Sequence, residues 1–306
     1  MASAQTDGAA QFDQAVALLS GEAASAEGPR AIALIDTAAA SGHAGALAMS
    51  ALFEATGALR PQNWLAALAK LRQAAELGSE SAKGQVEVLQ QRGSPDLSIE
   101  RLLAPPPRQQ LNDEPRIIAY PGFASAAECE WIIGRARDRL KPAKVFTKST
   151  GDQTHNPARD NKAIEFQLHD MDLVLEVVRA RIAAATRLPV PIFEPTQILH
   201  YSVGEQFRPH HDFLDPEVPG FAEHLKKFGQ RIATVLVYLN DGYEGGETVF
   251  PKLGISHRAA AGDALFFTNV DRSGRGDPLT MHAGSPPTSG EKWVFSQWIR
   301  DRLPAQ

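Results

Sequence analysis

In Arg208-Pro209-His210-His211-Asp212-Phe213 a histidine and an aspartate stand one residue apart. Successive side chains of an extended chain leave opposite faces, so His210 and Asp212 share one face and His211 takes the other. An imidazole and a carboxylate on one face can meet a single metal ion. The third donor must then come from a distant strand, and His282, in Leu279-Thr280-Met281-His282-Ala283-Gly284, precedes another strand-like run near the end of the sequence. Two histidines and one carboxylate on one side of an octahedral ion leave three positions open, the arrangement of non-haem Fe(II) oxygenases. Taken alone, His-x-Asp is weak evidence in a chain with nine histidines and 36 acidic residues. A turn histidine and a strand-end cap would leave the same trace.

Lys292 sharpens the pattern. It follows Ser289-Gly290-Glu291 and opens a strand on which Lys292, Val294, Ser296 and Trp298 share a face. A lysine lining a barrel needs an anionic partner, because an unpaired buried ammonium is costly. The distal carboxylate of 2-oxoglutarate is such a partner, while a solvated lysine at a strand end is the plain alternative.

The elements that must position these residues lie in the later part of the chain. Ile117-Ile118-Ala119-Tyr120 reads as a strand, Ser125 caps a helix reaching about Arg139, and Met171 to Thr186 forms another helix. Beyond Pro195 short runs dominate: Gln197–Tyr201, Arg231–Leu239, Ala264–Phe267 and Lys292–Ile299 read as strands, separated by turns such as Asp241-Gly242 and Gly245-Gly246. Helices followed by many short strands predict an α+β architecture, a double-stranded β-helix or jelly roll with supporting helices.

A small all-α domain is expected before it. From about Phe12 to Gln91 the chain is rich in Ala and Leu at helical spacing, and Gly42 and Gly78, 36 residues apart, each end a helix in a left-handed cap position. These two stretches resemble Sel1-like or tetratricopeptide-type repeats, which either form a groove for a protein partner or simply pack as a helical cap. The expected division is 1–95 helical repeats, 96–113 a Pro-rich extended linker, and 114–306 the jelly roll.

At 306 residues with 43% hydrophobic and 22% charged residues, the composition is that of an ordinary globular protein. A net charge of -5 gives no reason to expect a nucleic-acid partner. No apolar run approaches the roughly 20 residues needed to span a bilayer and no signal-peptide pattern opens the sequence, so neither membrane nor export is expected and the reading is cytoplasmic. The single cysteine, Cys129, sits on the Ser125 helix and reads as a buried bystander.

Several runs in order carry a family resemblance: Tyr201-Ser202-Val203-Gly204-Glu205-Gln206-Phe207 before His210-x-Asp212, then Gln230–Asn240, Gly245-Gly246-Glu247-Thr248-Val249-Phe250-Pro251, Gly262-Asp263-Ala264-Leu265-Phe266-Phe267, His282-Ala283-Gly284 and Gly290-x-Lys292-Trp293. Over about 114 to 303 the chain resembles the prolyl 4-hydroxylases. The resemblance implies an Fe(II)- and 2-oxoglutarate-dependent dioxygenase that uses O2, with ascorbate as reductant, hydroxylates a peptidyl residue such as proline, and releases succinate and CO2.

It further implies that His210, Asp212 and His282 bind iron, and that Lys292 pairs with the 2-oxoglutarate C5 carboxylate, assisted by Tyr201 and Thr234. Arg159, Glu194 and Arg231 occupy positions that hold a peptide, and Lys148–Asn161 and Asp271–Asp277 are candidate lids. Two departures fall on the substrate side: Arg159-Asp160-Asn161 stands for the family's Arg-Thr-Ser element, and Arg300 for a histidine often found after the last tryptophan. They leave open a different target side chain or a free amino acid. A non-catalytic interaction or sensor protein carrying helical repeats is the competing reading.

Overall fold

A computed structural model describes residues 2–20, 24–146, 153–154 and 158–304. The described residues divide into two compact units, one comprising Met1–Ala104 with Phe166–Arg181 and the other Pro105–Glu165 with Ile182–Gln306.

The first unit is helical: α1 (Ala2–Ser20), α2 (Ala24–Ala40), α3 (Ala44–Thr56), α4 (Trp64–Glu76), α5 (Glu80–Gly93) and α6 (Ile99–Leu103), each packed on the next in order. Two of the junctions repeat one local solution. Gly42 (φ 84°) and Gly78 (φ 91°) take the left-handed conformation that glycine adopts without steric cost. The next side chain then caps the following helix, His43 accepting from the Ala46 amide and Ser79 from the Ala82 amide.

The extended linker expected over 96–113 is not what the chain forms. Ser98 caps the short α6, Leu102 is fully buried, and its carbonyl accepts from Nε and an Nη of Arg181 at 2.9 and 2.7 Å. Pro105-Pro106-Pro107 then stops the helix, and β1 begins at Gln109. The helical unit also takes in 166–181, which a strictly sequential division leaves to the C-terminal domain.

The second unit holds α7 (Ala126–Ala136), most of the strands and α9 (Pro219–Phe228); α8 (Leu173–Thr186) straddles the division. Ser125 and Glu128 form a reciprocal capping box at the start of α7, on which Cys129 is buried. The strands in chain order are β1 (Gln109–Asn112), β2 (Ile117–Tyr120), β3 (Lys141–Pro142), β4 (Val145–Phe146), β5 (Gln153–Thr154), β6 (Lys162–Phe166), β7 (Thr196–Tyr201) and β8 (Phe207–His210), then β9 (Arg231–Tyr238), β10 (Glu244–Gly245), β11 (Thr248–Phe250), β12 (Ile255–His257), β13 (Ala264–Thr268), β14 (His282–Gly284), β15 (Pro287–Ser289) and β16 (Lys292–Arg300).

Eight of them make a major antiparallel sheet in the order β1-β2-β13-β9-β16-β7-β6-β3, and four make a minor sheet, β12-β11-β14-β8. This is the jelly-roll arrangement, with neighbours in space far apart in sequence. Between the sheets Tyr201, Tyr238, Phe250, Leu265, Phe267 and Val294 form an apolar cluster, each at most 4% exposed. β16 is buried on both faces: Trp293, Phe295 and Ile299 face one way, while Lys292, Val294, Ser296 and Trp298 line a cavity on the other.

Among the described residues no helix is long and apolar enough to cross a membrane. Of the first expected lid, Lys148–Asn161, only 153–154 and 158–161 are among the described residues. The second, Asp271–Asp277, is a tight turn organised by the Asp271 carboxylate, which accepts from the Ser273 amide at 2.8 Å, the Ser273 hydroxyl at 2.6 Å and the Arg275 amide at 3.0 Å.

Candidate active site

Strand register brings the distant residues together. His210 on β8 lies directly opposite His282 on β14, and Lys292 on β16 lies opposite Tyr201 on β7. Donor atoms of His210, Asp212 and His282 lie within 4.8 Å of one another. Oδ1 of Asp212 is 3.6 Å from Nε2 of His210, and Oδ2 is 3.5 Å from Nε2 of His282.

Both imidazoles are turned the same way by the backbone. Nδ1 of His210 bonds the Arg208 carbonyl at 2.8 Å and Nδ1 of His282 bonds the Thr280 carbonyl at 3.0 Å. A carbonyl only accepts, so each Nδ1 carries the proton and each Nε2 keeps its lone pair for a metal. Burial pushes His282 down to about 4, which keeps that ring neutral. Burial alone would raise the Asp212 carboxyl, but the two histidines and the Thr234 hydroxyl hold it well below the usual carboxylate range. A neutral imidazole and an ionised carboxylate are the states a metal requires. His211 turns away, its ring tilted against Phe213 and bonding the Pro278 carbonyl.

Lys292, 2% exposed, reaches the same cavity. Its Nζ donates to the Gly246 carbonyl at 2.6 Å and lies 5.3 Å from the Tyr201 ring and 5.5 Å from that of Tyr238. Burial pulls its ammonium down to about 8, with Glu247 acting in the opposite sense. Burial pushes the Tyr201 phenol up to about 12, so it stays a protonated donor at the cavity wall.

Thr234 faces the cavity but is already engaged. Its hydroxyl donates to Oδ2 of Asp212 at 2.6 Å and accepts from Nδ2 of Asn269 at 2.9 Å. A hydroxyl has one proton, which Thr234 here directs to Asp212. The residue missed by the sequence reading is Thr248. It lines the cavity from β11 and accepts from the Tyr238 phenol at 2.8 Å, which leaves its own proton to donate. Its position two residues after Gly246, whose carbonyl holds Lys292, was the available signal.

The three expected peptide-holding residues part company. Arg159, 5% exposed, lines the cavity over the Phe207 ring, its nitrogens bonded to Asn161 Oδ1, the Lys144 carbonyl and Gln197 Oε1 at 3.1, 3.1 and 3.3 Å. These partners are all neutral, and Asn161 accepts through its amide oxygen. Glu194 and Arg231 do not line the cavity. Arg231 grips Glu194 through two bonds of 2.6 and 2.8 Å, Arg300 adds a third at 2.6 Å, and the Arg231 guanidinium lies 3.5 Å over the Trp298 ring. Arg300, the departure from the family pattern, therefore completes a buried ion cluster. Glu194→Gln is expected to destabilise the protein by roughly 3 kcal/mol, since it leaves two packed guanidiniums without their shared anion. Urea unfolding measures it, and an unchanged midpoint would refute the structural assignment.

A model described as the 2OG-Fe(II) oxygenase superfamily matches residues 196–300, which contain the histidines, Asp212 and Lys292. Prolyl 4-hydroxylase 5 of Arabidopsis thaliana is 35% identical over 205 residues, covering 61% of this chain and 68% of that protein. The chain belongs to the prolyl 4-hydroxylase family. Prolyl 4-hydroxylase subunit alpha-1 of Rattus norvegicus is 37% identical over 201 residues, 66% of this chain, but the match spans only 37% of that subunit. A solved viral collagen prolyl hydroxylase from Paramecium Bursaria Chlorella virus-1, in its 2OG complex, is 26% identical with a TM-score of 0.47, covering 60% of this chain and 94% of the other. Prolyl 4-hydroxylase-family chemistry of this kind uses Fe(II), 2-oxoglutarate and O2, and the donor set built from His210, Asp212 and His282 suits that ion.

Proposed function

We propose that this 2-oxoglutarate-dependent dioxygenase hydroxylates a peptidyl proline, with His210, Asp212 and His282 as iron ligands. The observation that carries the reading is the convergence of three donors within 4.8 Å in a cavity whose wall also presents a buried lysine. Iron with 2-oxoglutarate and O2 supplies the oxidation: one oxygen atom enters a C–H bond of the target and the other enters succinate as CO2 leaves.

The chain's own residues bind and aim. Lys292 supplies the positive charge for the distal carboxylate of 2-oxoglutarate, and the Tyr201 and Thr248 hydroxyls donate to it. Phe250, Phe267 and Tyr238 form apolar surroundings that keep water from that end of the cavity and strengthen each polar contact. Arg159 and Trp298, which line the cavity with the metal ligands, hold the peptide so that one carbon faces the oxidant. None of these tasks needs a protein acid or base.

The N-terminal helices serve as a Sel1/tetratricopeptide-like recruiting module in this reading. The like-built junctions at Gly42-His43 and Gly78-Ser79 support it, as does an open groove lined by Ile32, Asp36, Glu54, Leu59 and Arg60.

Purified protein supplied with Fe(II), 2-oxoglutarate, ascorbate and proline-containing peptides is expected to add one oxygen atom to a proline, located by fragmentation mass spectrometry, with matching succinate. Turnover of free amino acids but of no peptide would refute the peptidyl reading.

A further inference from the structure

The backbone fixes two of the three candidate metal ligands but not the third. Carbonyls of Arg208 and Thr280 orient His210 and His282, whereas Asp212 follows the end of β8 and its carboxylate plane turns about a soft terminal torsion. Thr234 and Asn269 meet it from the major sheet, on β9 and just beyond β13.

The direction of this chain of bonds follows from counting protons. An ionised carboxylate only accepts, so the Thr234 hydroxyl points its proton at Oδ2 of Asp212, at 2.6 Å. The threonine oxygen can then only accept, so Asn269 must present its NH2 group, at 2.9 Å. Asp212, Thr234 and Asn269 are 4%, 1% and 0% exposed. Polar groups at that depth are costly unless their bonds are used, and Oδ1 of Asn269 has no partner among the described residues, so its amide is held there for the bond it donates.

We propose that Asn269 and Thr234 are positioning residues that lock the Asp212 carboxylate in its ligating orientation, and so set the affinity of the site for its divalent metal. Asn269 is itself held through its backbone, the amide donating to the Ile232 carbonyl and the carbonyl accepting from the Asp277 amide. The lock is thus tied to β9, which carries both Thr234 and Ile232. It rests on the assignment of Asp212 as a metal ligand.

The test is Mn(II) binding to the full chain without 2-oxoglutarate, followed by the electron paramagnetic resonance of free Mn(II). Thr234→Val keeps the shape and removes the donor, and is expected to weaken binding about 10- to 100-fold, the usual cost of losing an outer partner of a metal ligand. Thr234→Ser restores the donor and is expected to bind close to the parent. Asn269→Leu should fall between the two. Thermal unfolding of the metal-free proteins separates a folding defect from a loss of affinity, and the Ser variant decides the matter if Val fails to fold. Equal Mn(II) affinity in parent and Thr234→Val, or a Ser variant as weak as Val, would overturn the lock. A parent that binds no Mn(II) would instead remove the metal site itself, a separate failure.

Discussion

His282→Ala and Asp212→Ala proteins, titrated anaerobically with Fe(II) and 2-oxoglutarate, are expected to lack the visible charge-transfer band that the parent develops, and to lose turnover altogether. The expected loss exceeds the roughly 10- to 100-fold cost of removing an outer partner, because a donor itself is gone. Asp212 is the more severe of the two. It is the one anion in the set, and removing it leaves two neutral rings to hold a divalent cation. His211→Ala is the matched control, since that ring turns away toward Pro278, and its band should equal the parent's. Persistence of the band in His282→Ala would mean that the third donor is elsewhere.

Lys292→Met should raise the concentration of 2-oxoglutarate needed for half-saturation by roughly 30- to 5,000-fold, the equivalent of about 2 to 5 kcal/mol for truncating one partner of a buried charge pair. A pH profile isolates the cause. Burial pulls the lysine from its ordinary 10.5 to about 8 in the folded protein. Between those values the unfolded chain holds a proton that the folded chain has released, so the parent's stability rises with pH from about 8 to 10.5 and has no slope from this group below 8. The Met variant should lack that rise. Affinity for 2-oxoglutarate runs the other way, falling above about pH 8 as the ammonium loses its charge. A parent whose affinity is flat from pH 7 to 9.5 would remove Lys292 from the cosubstrate site.

Much of this was legible in the sequence because the roll is built from alternation. The face shared by Lys292, Val294, Ser296 and Trp298 followed from the period of two, and the strands over Gln197–Tyr201 and Ala264–Phe267 lie within β7 and β13. Alternation tells which face a side chain leaves, not which polar atom it meets there. The sequence therefore sends Thr234 to the cavity without showing its bond to Asp212. Thr248 sits on a strand of three residues, too short to show a period. Glu194 and Arg231 read as peptide-holding charges at the mouth because a sequence cannot show that their charges are spent on each other and on Arg300. The span 96–113 read as linker because three prolines dominate it, while its structural anchor is one leucine carbonyl that Arg181 seeks out from far along the chain.

The segment that carries Arg159 also runs alongside β8. Arg159 pairs with Phe207, the Arg208 amide donates to the Ala158 carbonyl at 2.9 Å, and the Asp160 amide donates to the Gln206 carbonyl at 3.3 Å. An uncovered terminal strand is a template on which another chain can add by main-chain pairing. Here that edge is closed by the protein's own residues on the strand that bears His210. Main-chain pairing along Gln206 to Arg208 is therefore already taken up within the chain. The terminal strand at the sheet's other end is β12, Ile255–His257, which among the described residues pairs on one side only, with β11.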